Sequence, residues 1–341
     1  MNTVPEQSNE EGPVDVPLPK KNWHTLLRGF FDHYRAIWSK NSNTKTICVS
    51  FTEDGFCIVS LYYKKNETIP TLEKIECHPR PEGTEYSEFF SDILDQFTPR
   101  GARIIGILDD KDYALISSNT LDVQPEEMRN ALRWEMQDRV EFSVETAVID
   151  YFEGWKKQGD VNKKSIEVVV AKGEAMELYT GLFHDAKVKP NIIDIPELAL
   201  CNLLKMLQLD PEPSSLIFRI KKQNSTLIVA HDGVMLMTRR TSIGFEALSD
   251  NNDFIIDDLL NFIQKSIDYY ERYIDGPKLG YLIGLPVEQA IGDAYMIMAE
   301  RIGLSLRTFD LNDLLQCNQQ LESNMQAKSL EAVGGALRET G

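Results

Sequence analysis

The 341-residue chain lacks any run of roughly 18 uncharged apolar residues, so no membrane-spanning helix is expected. Its first 20 residues are polar and acidic, carry Pro5, Pro13, Pro17 and Pro19, and read as a disordered leader rather than a secretory signal peptide. Cysteine is sparse: Cys48, Cys57, Cys77, Cys201 and Cys317 are odd in number and never form a Cys-x-x-Cys pair. Neither a disulfide framework nor a zinc knuckle is expected, and a reducing cytoplasm is the default compartment. Positive charge is in deficit, with 36 Lys and Arg against 53 Asp and Glu, a formal net charge of -17. A body that acidic repels phosphate backbones, which excludes general nucleic-acid binding.

Catalytic signatures are missing as well. The sequence has no Gly-x-x-x-x-Gly-Lys, Gly-x-Gly-x-x-Gly, Gly-x-Ser-x-Gly or His-Glu-x-x-His. His24, His33, His78, His184 and His231 have no second ligand three or four residues away, so no metal site is expected. The acid pairs Asp109-Asp110, Glu126-Glu127 and Asp257-Asp258 follow turn and helix-start logic rather than that of a general acid and base. No residue is assigned a catalytic role.

What is present is an ordinary globular composition, 42% hydrophobic and 26% charged, long enough for two domains or one bilobed one. Residues 21–40 are expected to form a basic amphipathic helix in which Trp23, Phe30, Phe31 and Trp38 share the apolar stripe, while Lys21, Arg28, Arg35 and Lys40 face only Asp32. Such a helix lies on an anionic membrane surface, packs on the main domain or mediates a protein contact. The pattern then changes to strands at 46–51 and 56–63, joined through Asp54-Gly55, a strong hairpin signal. A third strand near 71–77, a helix over 85–97 and a buried strand over 103–108 follow.

The second half repeats this order. Strands at 215–220, 226–230 and 234–238 precede a helix over 253–274 and a buried strand over 278–285, offset by about 170 residues. Two lobes, each a meander plus βα units, describe an α/β fold: the duplicated actin-like, or ribonuclease-H-like, architecture. The expected domains are the leader 1–20, the aromatic helix 21–40, a first lobe 45–121, an inserted subdomain 122–194, and a linking helix with the second lobe over 195–338.

Three stretches carry more specific information. Asn130-Ala131-Leu132-Arg133-Trp134-Glu135-Met136 leads to Val148-Ile149-Asp150-Tyr151-Phe152; Asp194-Ile195-Pro196-Glu197-Leu198-Ala199-Leu200 follows; Ser266-Ile267-Asp268-Tyr269-Tyr270-Glu271 lies on the long helix. In this order and spacing the set resembles the PilM family of type IV pilus assembly proteins, and most of all its MshI branch, which serves MSHA pili. The ending Ala332-Val333-Gly334-Gly335-Ala336-Leu337-Arg338 is similar to that branch too. The resemblance spans roughly residues 45 to 338. It implies an actin-like cytoplasmic protein, peripheral to the inner membrane, whose partner is the cytoplasmic N-terminal tail of a single-span inner-membrane pilus assembly protein resembling PilN or MshJ. The membrane surface and an assembly ATPase are further candidate partners. A cytoplasmic component of a type II secretion system, of the GspL kind, is the neighbouring alternative, as is an actin-like ATPase of the pilus machine.

Many PilM relatives bind ATP between their lobes, through two glycine-bearing hairpins that cradle phosphate and acids that hold Mg²⁺. Here the first such hairpin carries Phe51 where a small residue would let phosphate approach. At the second, the family's Asp-x-Gly falls on Arg219-Ile220-Lys221, a base in place of the acid and a long side chain in place of glycine. Of the later adenosine-binding glycine run only Gly284 remains, and Pro286 removes an N–H donor. A non-catalytic scaffold with no cofactor is therefore expected, with weak ATP binding left open. For the partner tail, Arg129, Arg133 and Trp134 on a helix from Pro125 to about Arg139 are the candidate surface: Leu132 and Met136 face the core, the arginines line another face, and Trp134 sits at the boundary.

Overall fold

The computed structural model describes residues 44–338, apart from 65–66, 68, 83–85, 120, 156–164, 208, 211, 250–252, 290 and 292. The leader and the helix carrying Trp23, Phe30, Phe31 and Trp38 lie outside the described residues.

The apolar run after Thr44 forms β1 (Thr44–Thr52), which turns at Asp54-Gly55 into β2 (Gly55–Tyr63) and then β3 (Thr71–Pro79). After α1 (Tyr86–Gln96) the chain returns as β4 (Arg103–Ile107), parallel to β1. β1 and β2 are buried along almost their whole length, as continuous Val/Ile/Phe runs require. The second lobe is built alike: β9 (Ser214–Ile220), β10 (Ser225–His231) and β11 (Val234–Thr241), then the short α5 (Phe245–Ser249), the long α6 (Asp253–Tyr273) and β12 (Leu279–Gly284), parallel to β9. A further parallel strand completes each sheet, β8 (Ile192–Asp194) beside β4 and β13 (Ser305–Thr308) beside β12. The two sheets thus run β3-β2-β1-β4-β8 and β11-β10-β9-β12-β13, with the two-residue β14 (Gln316–Cys317) added outside β3. Matching order and matching strand direction establish the duplicated, actin-like two-lobed fold.

The remaining strands, β5 (Tyr113–Asn119), β6 (Val148–Glu153) and β7 (Ser165–Ala171), form a separate antiparallel sheet in the order β5-β7-β6, covered by α2 (Pro125–Met136). This is the inserted subdomain, but its limits differ from the sequence-based 122–194. It begins at β5, whose backbone pairs with β7, and ends at β7. α3 (Gly173–Asp185) packs on α1, and β8 pairs with β4, so both return to the first lobe.

The 195–338 unit is divided too. α4 (Pro196–Leu204) and the C-terminal α9 (Ser323–Ala336) pack on each other, and α9 lies on β1, β2 and β4. Ile217, Ile228, Met235 and Ile283 of the second sheet belong to the same apolar cluster, which places these two helices between the sheets. α7 (Ala294–Ile302) and α6 cover the outer face of the second sheet, and the four-residue α8 (Leu311–Leu314) leads from β13 to β14. On the outer face of the first sheet an aromatic cluster joins strand to helix, with Phe51 stacked on Tyr179 at 4.1 Å and Phe90 edge-on to Phe183 at 5.3 Å.

Small residues let α9 sit this deep. A Cβ on Gly334 would run into the carbonyl oxygen of Ala199, and one on Gly335 into Cys48 Sγ and Ile107. Gly334→Ala is therefore expected to destabilise the protein. Overpacking of about 1–3 kcal/mol outweighs the roughly 1 kcal/mol gained from helix propensity, which chemical denaturation can measure.

Cys57 and Cys77 stand directly opposite each other on β2 and β3, with Cα atoms 4.0 Å apart, and form a disulfide. The sequence-based expectation of no disulfide is corrected here: the antiparallel register brings together two residues that no Cys spacing motif links. Cys48 and Cys201 are buried free thiols, and burial pushes both pKa values up. Among the described residues no helix is long and apolar enough to cross a membrane.

Candidate functional site

Arg219 lies near the end of β9, a strand buried at every position, so its guanidinium has to find partners inside the protein. It finds them on three elements. Nε meets Glu331 Oε1 of α9 at 3.2 Å, Nη2 donates to the Ala327 carbonyl at 2.8 Å, and Nη1 donates to the carbonyls of Ile220 and Pro286 at 3.3 and 3.4 Å. Lys221, two residues on, reaches Asp110 Oδ2 at 2.8 Å and Glu331 Oε1 at 3.2 Å. Burial alone would raise the Glu331 carboxyl, but Arg219 and Lys221 beside it outweigh that and hold it down at about 2. Burial works against the Lys221 ammonium, and Asp110 and Glu331 reverse it, lifting its pKa above the ordinary range.

Linkage gives the sign of the pH dependence. Glu331 has its pKa lowered on folding, so its contribution is complete above about 4.5 and is lost as the pH falls towards about 2. Melting temperature should drop across that acid window, and Glu331→Gln should remove this part of the drop.

A second charged group lies alongside. Glu197 of α4 is buried and accepts from the Tyr113 hydroxyl and from Arg240 of β11, whose Nη2 and Nε lie 2.6 and 3.2 Å from Oε1. Arg240 also donates from Nη1 to the main-chain carbonyl of Asp110 at 2.8 Å, and its guanidinium lies over the Tyr113 ring, 4.7 Å from the centroid. Burial and the Glu197 charge both push the Tyr113 hydroxyl well above its usual range, so it stays a neutral donor.

These contacts test the fit of a magnesium nucleotide in this cleft. The Arg219 donors are spent on protein acceptors, and the nearby acids Asp110, Glu197 and Glu331 each answer a protein cation. No cluster of three His, Cys, Asp or Glu able to hold a metal occurs among the described residues. Gly284 pairs with Phe218 in the ladder, but its missing Cβ accommodates the Tyr295 ring, whose hydroxyl donates to the Phe218 carbonyl at 2.9 Å. Gly55, at φ +154°, lets the hairpin close on His78 and Arg80 of the β3 end. Phe51 is turned into the aromatic cluster, so its bulk fills the core rather than the cleft, contrary to the sequence-based reading. An open cavity of about 850 Å³ adjoins Gly284, Pro286, Tyr295, Asp310 and Gln326.

The second candidate region lies beside the inserted sheet. Met128, Leu132 and Met136 of α2 are buried against Ile149, Val168 and Val170, as the helical spacing predicts. Arg129 and Arg133 share another face and are used internally. Arg129 donates from Nη2 and Nε to Asp150 Oδ1 at 2.9 and 3.1 Å. Arg133 donates to the carbonyls of Val144 and Ala147, the latter at 2.8 Å, pinning the segment that enters β6. Both line a groove of about 240 Å³ whose other wall is Gly173, Met176 and Glu177 of α3. Trp134 does not line it. Its side chain is 77% exposed, one turn beyond Asn130 at the groove's edge, and Leu178 on α3 is 42% exposed.

The structure therefore joins Arg219, Lys221 and the Gly284 strand in one cleft, and Arg129 and Arg133 in one groove, with Trp134 outside it. Sequence reasoning missed Asp110, Glu197, Arg240 and Glu331. One signal was available: an arginine inside an otherwise apolar strand demands a buried acid somewhere in the chain.

Compared with known proteins, the chain matches no protein-family model and no curated protein. It does match solved structures. A structure of the PilM-PilN type IV pilus biogenesis complex is 14% identical over 86% of this chain and 97% of that one, with a TM-score of 0.65. The cytoplasmic domain of EpsL, an inner-membrane component of the type II secretion system of Vibrio cholerae, is 9% identical over 85% and 95%, at a TM-score of 0.45. A Bacteroides thetaiotaomicron protein with an actin-like ATPase fold and unknown function is 10% identical over 86% and 98%, at 0.47. The chain has a PilM-like form of the actin-like fold.

Proposed function

We propose that the protein is a non-hydrolysing scaffold of a type IV pilus assembly machine, of the MSHA kind. It lies in the cytoplasm against the inner membrane and binds there the N-terminal tail of a single-span partner resembling PilN or MshJ. One observation supports the reading: Arg219 and Lys221, which the resemblance matches to the family's Asp-x-Gly, are engaged by Glu331, Asp110 and main-chain carbonyls, and a separate groove opens beside the inserted sheet. The PilM-PilN complex supports the partner class, because a protein of this fold assembles there with PilN. The groove between α2 and α3 supports the tail, since an extended peptide needs a preformed cleft with apolar walls and a rim of satisfied polar groups.

Two measurements test the proposal. Purified protein with Mg²⁺ and ATP is expected to release no phosphate above the level of a cleft variant such as Lys221→Met. Synthetic N-terminal tails of single-span inner-membrane proteins encoded beside it are expected to bind the full chain in calorimetry. Turnover that the variant abolishes would make the protein an ATPase, and failure of every tail would remove the scaffold role.

A further inference from the structure

We propose that Arg219, Lys221 and Arg240 of the second lobe form a built-in latch with Asp110, Glu197 and Glu331, and that this latch holds the cleft closed without a bound ligand. All three cations belong to the second sheet. Glu331 sits on α9, which lies on β1, β2 and β4 of the first sheet, Glu197 sits on α4, which packs on α9 and against β11, and Asp110 follows β4 of the first sheet. The contacts of Asp110 with Lys221 and Arg240, and of Glu331 with Arg219 and Lys221, cross the joint, while Glu197 links Arg240 to Tyr113 of the inserted sheet.

Asp110 ties the contacts together. Its carboxylate takes Lys221 at 2.8 Å, while its main-chain carbonyl takes Arg240 at 2.8 Å. Glu331 is shared by Arg219 and Lys221, and Glu197 by Arg240 and Tyr113. Three cations meet three carboxylates, so the charges of these six side chains balance. The base of the joint is apolar, where Ile217, Ile228 and Ile283 meet the cluster that also holds Leu330 and Val333 of α9. Lys221 and Arg240 lie nearer the solvent, while Arg219, Glu331 and Glu197 are deep. A third tie lies elsewhere: Trp155, just past β6, donates from Nε1 to the Asp275 carbonyl at 2.6 Å, fixing the inserted sheet to the second lobe.

The physical asymmetry of a buried ion pair makes this a latch rather than a surface decoration. With all six charges present, closure satisfies each of them. With one sign removed, the remaining charges are buried unpaired only while the cleft is closed, and opening returns them to water. Removing carboxylates should therefore favour the open form rather than merely weaken the closed one. Domain closure about a hinge is the motion at stake.

The test uses the full chain with spectroscopic labels at Glu88 on α1 and Asn261 on α6, introduced as non-canonical amino acids so that the native cysteines are untouched. The wild-type protein is expected to show one narrow interlobe distance, unchanged by Mg²⁺ with ATP. Asp110→Asn with Glu197→Gln, which leaves the deep Arg219–Glu331 pair intact, is expected to add a second, longer population. Should that variant not fold, Lys221→Met with Arg240→Met poses the same question from the other sign. A single wild-type distance in a folded variant overturns the latch, and so does an open population in the wild-type protein that ATP closes. The interlobe distance reads the latch alone, whereas phosphate release and tail binding read the scaffold, so the two can fail separately.

Discussion

Arg219→Ala is expected to cost about 3–5 kcal/mol of folding stability, the range for breaking a buried ion pair by removing one partner. Arg219 is 3% exposed and supplies donors to Glu331 and to three main-chain carbonyls on β9, the β12 exit and α9. Alanine leaves all of these acceptors without their donor. Lys221, 3.2 Å from Glu331, keeps that carboxylate from being wholly unpaired, which places the result towards the lower end of the range. Glu331→Ala should act in the same direction by leaving Arg219 and Lys221 facing each other. The informative comparison is Arg219→Met combined with Glu331→Leu. Apolar replacement of both partners removes the stranded charge, so the double variant should be more stable than either single one in a denaturant titration. If the single and double variants are equally destabilised, the pair is not what holds β9 to α9.

These two charges also show where the sequence stops being legible. Continuous apolar runs and Asp-Gly turns placed β1, β2, β9 and β10 to within a residue or two and the start of β11 to the residue, because such signals are local; β11 runs three residues further than expected, through Arg239 and Arg240. The repeated order of elements disclosed the duplicated fold for the same reason. Arg219 and Glu331 are 112 residues apart, and no periodicity connects them. The limits of the inserted subdomain were misplaced because β5 has no alternating or continuously buried pattern and β8 is only three residues long. Their sheet is chosen by pairing partners far along the chain. α9 was assigned to the second lobe on chain order alone. Its Ala- and Gly-rich face gives a weak amphipathic signal, yet small residues are what a helix needs to lie between two sheets.

The groove was legible in a different proportion. Helical spacing separated Leu132 and Met136 from the Arg129 and Arg133 face, and the structure keeps that division, with Met128 added to the buried side. What spacing could not show is that both arginines already have partners in Asp150 and in the 144–147 carbonyls. They shape the groove more than they offer free charge to a ligand. Arg133→Glu would therefore unseat the segment entering β6 and lose stability and tail binding together, so it does not separate the two roles.

Trp134→Ala does separate them. The indole is 77% exposed and lies outside the α2 core cluster, so its removal should leave the unfolding midpoint nearly unchanged. Leu132→Ala, two residues earlier and fully buried, is the contrasting control, with an expected cost of about 2–5 kcal/mol. An exposed tryptophan at a groove edge can bury a large apolar surface against a ligand and still use its N–H, which is the profile of an interface hot spot. If the partner tail lies in the groove and against this indole, Trp134→Ala should weaken its binding by roughly 2 kcal/mol or more, about 30-fold, in calorimetry with the full chain. Leu178→Ala, on α3 beyond the groove-lining Met176 and Glu177, should weaken it less, because a smaller and less exposed side chain has less area to lose. Unchanged affinity in both variants, with their folding intact, would place the tail on another surface of the protein and leave Trp134 without a role in recognition.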